Sequence, residues 1–203
     1  MNRNWNYLIC TMLICAVSPN AASADTAPKH EPAPVAIDVD SEIEKAKAAI
    51  GSFAAALQTE LKLAMKEGGP VNAIGVCHTK ALPITQAIAI EQGLKLSRVS
   101  LRNRNPANAP ENWQIAVLQS FENRKDTGED PAALSWHEIA NVDGRQQFRF
   151  MKAILTGPLC LQCHGSTITP DVEARLNELY PQDKAIGCET GDIRGAFVVT
   201  RQL

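Results

Sequence analysis

Cys160-Leu161-Gln162-Cys163-His164 is the stretch in which residue type and spacing carry chemistry most plainly. Two thiols two residues apart can reach the two vinyl groups of one porphyrin, and the next residue then sits beside the ring plane. In an exported chain this C-x-x-C-H pattern reads as the attachment site of one covalent haem c. Cys160 and Cys163 are the expected thioether positions, and His164 is the expected proximal iron ligand.

Three blander chemistries compete for the same residues: a dithiol, a local disulfide and half of a zinc site. A zinc ribbon needs a second ligand pair at similar spacing, and the chain has no other C-x-x-C. A thioredoxin-like motif follows a strand and opens a helix in a βαβ unit. Here the flanks are Thr156-Gly157-Pro158 and Gly165-Ser166-Thr167.

The beginning of the chain supports export. Leu8 to Val17 is an apolar run too short to span a bilayer, and Ala22-Ser23-Ala24 forms an A-x-A cleavage pattern. The expectation is a signal peptide over residues 1–24, cleavage after Ala24, and a periplasmic mature protein. A lipoprotein reading through Cys15 is disfavoured by the bulky Ile14 before it. Residues 25–40, with Pro28, Pro32 and Pro34 and no apolar periodicity, read as a disordered leader, and residues 41–203 as a single domain.

Removing the signal takes one cation, Arg3, and leaves 19 basic and 22 acidic side chains. That mild acidity argues against nucleic acid or a membrane surface as partner, and no transmembrane run follows the signal. Cys77, Cys160, Cys163 and Cys188 survive cleavage.

The elements that must position the motif can be read from periodicity. Ser41, with Glu44 three residues on, suits the start of a long N-terminal helix. Ile43, Ala46, Ile50, Phe53, Leu57, Leu61 and Ala64 form its apolar stripe until Gly68-Gly69-Pro70. A second helix from Pro70 places Ile74, Cys77 and Ala81 on one face. Cys77 and His78 are adjacent ligating types, and neighbours on a helix point about 100° apart, so only one can face a given haem. On residues alone the sixth iron position is left among Cys77, His78, His137, Met65 and Met151, or open.

Further along, a short helix ends at Gly93, and Leu94 to Leu101 reads as a strand leading into an Asn- and Pro-rich loop. Arg98, Arg102 and Arg104 crowd this stretch. Guanidinium forks suit carboxylates, so they are candidates for the haem propionates, with ordinary Asp and Glu pairing as the alternative. Trp113 to Phe121 reads as a helix. Ala133–Val142 and Gln147–Ile154 read as strands joined at Asp143-Gly144. Phe148, Phe150 and Ala153 are candidates either for a haem face or for plain core. A helix over Asp171–Leu179 and a strand over Gly191–Val199 close the chain.

Four blocks together resemble the PAS-like c-type haem domain family, originally catalogued as a domain of unknown function. They are Val76-Cys77 with Lys80-Ala81, Arg98 to Pro110, Phe150-Met151-Lys152 through Cys160 to Gly165, and Tyr180-Pro181 through Gly195-Ala196. The resemblance implies an α+β fold: a PAS-like sandwich with a central antiparallel sheet flanked by helices. It also implies His/Cys axial ligation, which raises Cys77 above its rivals as distal ligand. The domain occurs as the input module of sensor kinases, so the leading expectation is redox or diatomic-gas sensing with an unidentified redox or signalling protein as partner. An electron-transfer cytochrome is the alternative, and a haem enzyme such as a peroxidase the third reading. Since no catalytic constellation stands out, the expectation is a non-enzyme. Cys188 departs from the family pattern, where an aromatic residue is expected. It reads either as a free thiol or as a disulfide partner of Cys77, which would remove Cys77 from the iron.

Overall fold

In the computed structural model, residues 37–203 are described; the expected signal peptide and most of the leader lie outside them. Helix α1 (Val39–Thr79) starts two residues before Ser41, because the Asp38 carboxylate accepts from the Ser41 N–H at 3.1 Å and acts as the N-cap. Gly68 and Gly69 leave helical φ/ψ, and Pro70 opens a second helical segment across the resulting kink. The Asn72 side-chain amide donates to the Ala64 carbonyl at 3.2 Å, satisfying an acceptor that the break would otherwise orphan. The expected stop is therefore a bend that turns the Cys77 segment relative to the segment before it.

Helix α2 (Ala81–Gln92) ends at Gly93 in the left-handed conformation. Strand β1 (Lys95–Val99), helix α3 (Asn112–Asp126), strand β2 (Ser135–Val142) and strand β3 (Arg145–Leu155) follow. A single-turn helix α4 (Leu161–His164), helix α5 (Pro170–Leu179) and strand β4 (Ile193–Gln202) complete the chain. The strands form one antiparallel sheet in the order β1-β4-β3-β2. The β2–β3 hairpin turns at Asp143 and Gly144, both at positive φ, as the Asp-Gly signal predicts.

Side chains alternate across the sheet and divide its core in two. Phe148 and Phe150 of β3, Leu96 of β1 and Val199 of β4 pack against Ala46, Ile50 and Phe53 of α1 and Ile88 of α2. Met151, Ala153 and Val198 face the other way, onto Val117, Leu118 and Phe121 of α3. The expectation of an α+β fold with an antiparallel sheet and a long N-terminal helix is thus met. Phe148, Phe150 and Ala153 are core residues. A third apolar cluster joins Ile74, beyond the kink of α1, to Val172, Leu176 and Tyr180. It anchors α5 on the segment that carries Cys77. Among the described residues no single helix is long and apolar enough to cross a membrane.

Candidate functional site

The C-x-x-C-H segment leaves β3 through a 3-10 turn, Pro158–Cys160, that runs directly into α4. The Gly165 N–H donates to the Leu161 carbonyl at 2.9 Å and closes the single helical turn. Residues three apart on such a turn share a side, and Cys160 and Cys163 both line one cavity of about 280 Å3. His164 lines it too. The cavity lies beside the sheet face that packs on α1. Phe53, Leu57 and Leu61 wall it before the kink, Ile74 and Cys77 after it, and Phe197 from β4. Cys77 reaches the cavity because it stands three residues after the buried Ile74 on the same helical face.

His164 is oriented by the backbone. Its Nδ1 lies 2.7 Å from the Ala185 carbonyl oxygen and 3.2 Å from Arg194 Nε. A carbonyl only accepts, so the shorter contact requires Nδ1 to carry the proton. Arg194 Nε, itself a donor, is then a close neighbour rather than a partner. This tautomer leaves Nε2 unprotonated, the form in which imidazole ligates a metal. Burial, reinforced by the Arg194 and Arg104 guanidinium groups, lowers the His164 pKa to about 3 and keeps the ring neutral. Burial pushes the Cys77 thiol up, while Arg98, Arg104 and Arg194 pull the other way.

The three arginines singled out from the sequence separate in the fold. Arg98 lines the cavity, lies over the Phe53 ring with 5.2 Å to the centroid, and has no hydrogen-bond or ion-pair partner among the described residues. Arg104 also lines the cavity, but its guanidinium is committed: Nε is 2.8 Å from Asp183 Oδ2, with the two side chains 11% and 9% exposed. Its Nη2 donates to the Cys163 and Ala185 carbonyls. Arg102 does not line the cavity. It reaches the Ile186 and Gly187 carbonyls, each at 3.4 Å, and Asp192 Oδ2 at 3.7 Å. Its side chain is drawn away by a segment more than eighty residues later, a pairing that local sequence does not reveal.

Of the other ligand types considered, Met65 lines the cavity. Met151 is fully buried in the α3-side core, His137 is exposed on β2, and His78 packs edge-on against the Tyr180 ring at 5.3 Å. Cys77 and Cys188 are both free thiols. Cys188 is 2% exposed, with Sγ 3.5 Å from Arg102 Nη2. Sequence reasoning gave no role to Arg194 or Tyr180, which also line the cavity. The signal for Arg194 lay in the next residue. Gly195 has φ +151°, and a Cβ there would stand 2.2 Å from the Val99 carbonyl oxygen, so β4 passes β1 too closely for any side chain. That close passage brings the Arg194 Nη1 to Ser100 Oγ and to the Arg102 carbonyl, both at 3.1 Å.

The donor set fits a covalently held porphyrin: two thiols on one turn, an imidazole with Nε2 free, a third thiol from another element, apolar walls and an unpaired cation. Among the described residues no three of His, Cys, Asp and Glu gather closely enough to hold a bare metal ion.

The crystal structure of the cyanobacterial heme-protein Tll0287 superposes with a TM-score of 0.58 at 25% identity, covering 80% of this chain and 95% of that one. No curated protein matches the chain. The Tll0287-like family model matches residues 29–201, which is most of the sequence, and the chain belongs to that family.

Proposed function

We propose that the protein is a periplasmic monohaem c-type cytochrome of the PAS-like kind, with Cys160 and Cys163 as thioether anchors and His164 and Cys77 as axial ligands. The observation that carries the reading is that these four residues, from two stretches of chain far apart in sequence, line one apolar cavity. The similarity to a structure described as a heme-protein supports it. A haem bound there supplies a one-electron ferric/ferrous couple.

The chain's own groups then set its behaviour. The Ala185 carbonyl holds the Nδ1–H of His164 and strengthens Nε2 as a donor. Cys77 ligates as thiolate, a strongly donating anion that favours the ferric state and lowers the potential. Arg98, which lines the cavity with no hydrogen-bond or ion-pair partner among the described residues, suits a propionate. Cys77, a thiol that can take up a proton, would be an exchangeable ligand; that suits sensing of redox state or a diatomic gas better than rapid electron transfer, because ligand exchange would add reorganisation. The partner in this reading is a redox or signalling protein. Against a peroxidase stand the positions of His78 and His137, neither of which lines the cavity and could act there as acid or base.

The test is the absorption and electron paramagnetic resonance of the purified ferric protein beside a Cys77→Ser variant. A low-spin thiolate signature that disappears in the variant is expected. Identical spectra would remove Cys77 from the iron and leave Met65, the other candidate named from the sequence that lines the cavity, with simple electron transfer as the better account.

A further inference from the structure

The Arg104–Asp183 ion pair is almost fully buried, yet it belongs to none of the three apolar clusters. A buried pair of this kind gives little net stability over an apolar substitute, so its contacts matter more than its presence. One end of Arg104 donates to the Cys163 carbonyl, immediately before His164, and to the Ala185 carbonyl at 3.3 Å. The other end holds Asp183, whose Oδ1 accepts from the Ala185 N–H at 2.7 Å. The pair therefore grips Ala185 at both its N–H and its carbonyl, and that carbonyl is the one 2.7 Å from His164 Nδ1.

Backbone bonds continue the clamp. The Lys184 N–H donates to the Asn103 carbonyl at 3.1 Å, the Gly187 N–H to Gly165 at 3.0 Å, and the Cys188 N–H to His164 at 2.8 Å. The segment from Asp183 to Cys188 is thus laid along the His164 turn, with the Arg104 side chain touching both strips.

Resting on the haem reading above, we infer that Arg104 and Asp183 are positioning residues for the iron: the clamp fixes the Ala185 carbonyl on His164 Nδ1–H and thereby sets the donor strength of the imidazole. A fixed acceptor on Nδ1 makes Nε2 a stronger donor and favours the ferric state, so loosening the clamp raises the midpoint potential. Losing such an outer partner alters metal binding by about 10–100-fold. The lower bound, taken as a change in ferric over ferrous preference, is a rise of about 59 mV for a one-electron couple.

The experiment compares midpoint potentials of holoprotein carrying Arg104→Lys and Arg104→Gln. The lysine variant keeps the charge and loses the fork, so the clamp predicts a rise where Coulomb's law alone predicts none. The glutamine variant separates the two causes by sign. Loss of a cation by itself favours the ferric state and lowers the potential, whereas a loosened clamp raises it. A rise in both variants supports the inference, and with only one of them yielding folded holoprotein, the direction in that one decides. A wild-type potential in Arg104→Lys, or a fall in Arg104→Gln, overturns it while leaving the haem reading intact. Wild-type protein without covalent haem would overturn both.

Discussion

The two faces of the sheet are built on different terms. Towards α3 one apolar cluster fills the interface: Phe121, Leu134 and Met151 have no measurable exposure, and Val117 and Leu118 fill in beside them. Towards α1 the packing begins the same way, with Phe53, Phe148 and Phe150. It then gives way to a cavity, where β1 offers Arg98 two residues after the buried Leu96 and the kinked helix offers Cys77. One face holds the fold together, and the other gives up part of its packing to hold chemistry. The kink at Gly68-Gly69-Pro70 brings the Cys77 segment to the cavity that Phe53, Leu57 and Leu61 already wall, since a straight helix would carry that segment onward in the direction of the residues before it.

This contrast can be broken in stages. Phe121→Ala should cost about 3–5 kcal/mol in denaturant unfolding and leave the ferric absorption spectrum unchanged; a shifted spectrum with little loss of stability would reverse the assignment of roles. Gly195→Ala, at the junction of β4 with the end of β1, should cost roughly 1–3 kcal/mol through backbone strain and the clash with Val99. It should also disturb the site through Arg194, read as a lowered haem content. Asp38→Ala removes a helix cap far from the site and should cost about 1 kcal/mol with no spectral effect. In the haem-free protein Arg98→Met should change stability little, because the side chain has no ion-pair partner among the described residues to lose. In the holoprotein it should lower the midpoint potential by an amount on the order of 1 kcal/mol as one cation leaves the cavity; a raised potential would show that Arg98 does not act on the iron by charge.

Legibility in the sequence follows the same divide. The four strands, the Asp-Gly hairpin and the Gly93 stop were readable because each depends on neighbours within a few residues. So was the face shared by Ile74 and Cys77, which the helix repeat dictates; Ala81, expected on the same face, instead opens α2 beyond the bend at Lys80. The helix start moved from Ser41 to Asp38 because either side chain could cap, and only the fold decides which does. The arginines are the clearest failure. Arg102, Arg104 and Arg194 take partners dozens of residues away, and nothing local marks that Asp183, rather than any other acid, will lie beside Arg104. The density of Arg98, Arg102 and Arg104 was visible; that Arg98 would line the cavity without a partner among the described residues, Arg104 would line it while held by Asp183, and Arg102 would turn away was not.

The central claim is that Cys160 and Cys163 hold a haem covalently in this cavity. The most direct measurement is a haem stain of the protein on a denaturing gel, after expression with the c-type attachment machinery, beside a Cys160→Ser/Cys163→Ser double variant. The account predicts a stained band for the wild-type chain and none for the variant. A wild-type band without stain, from cells in which a control cytochrome c is matured, would contradict it.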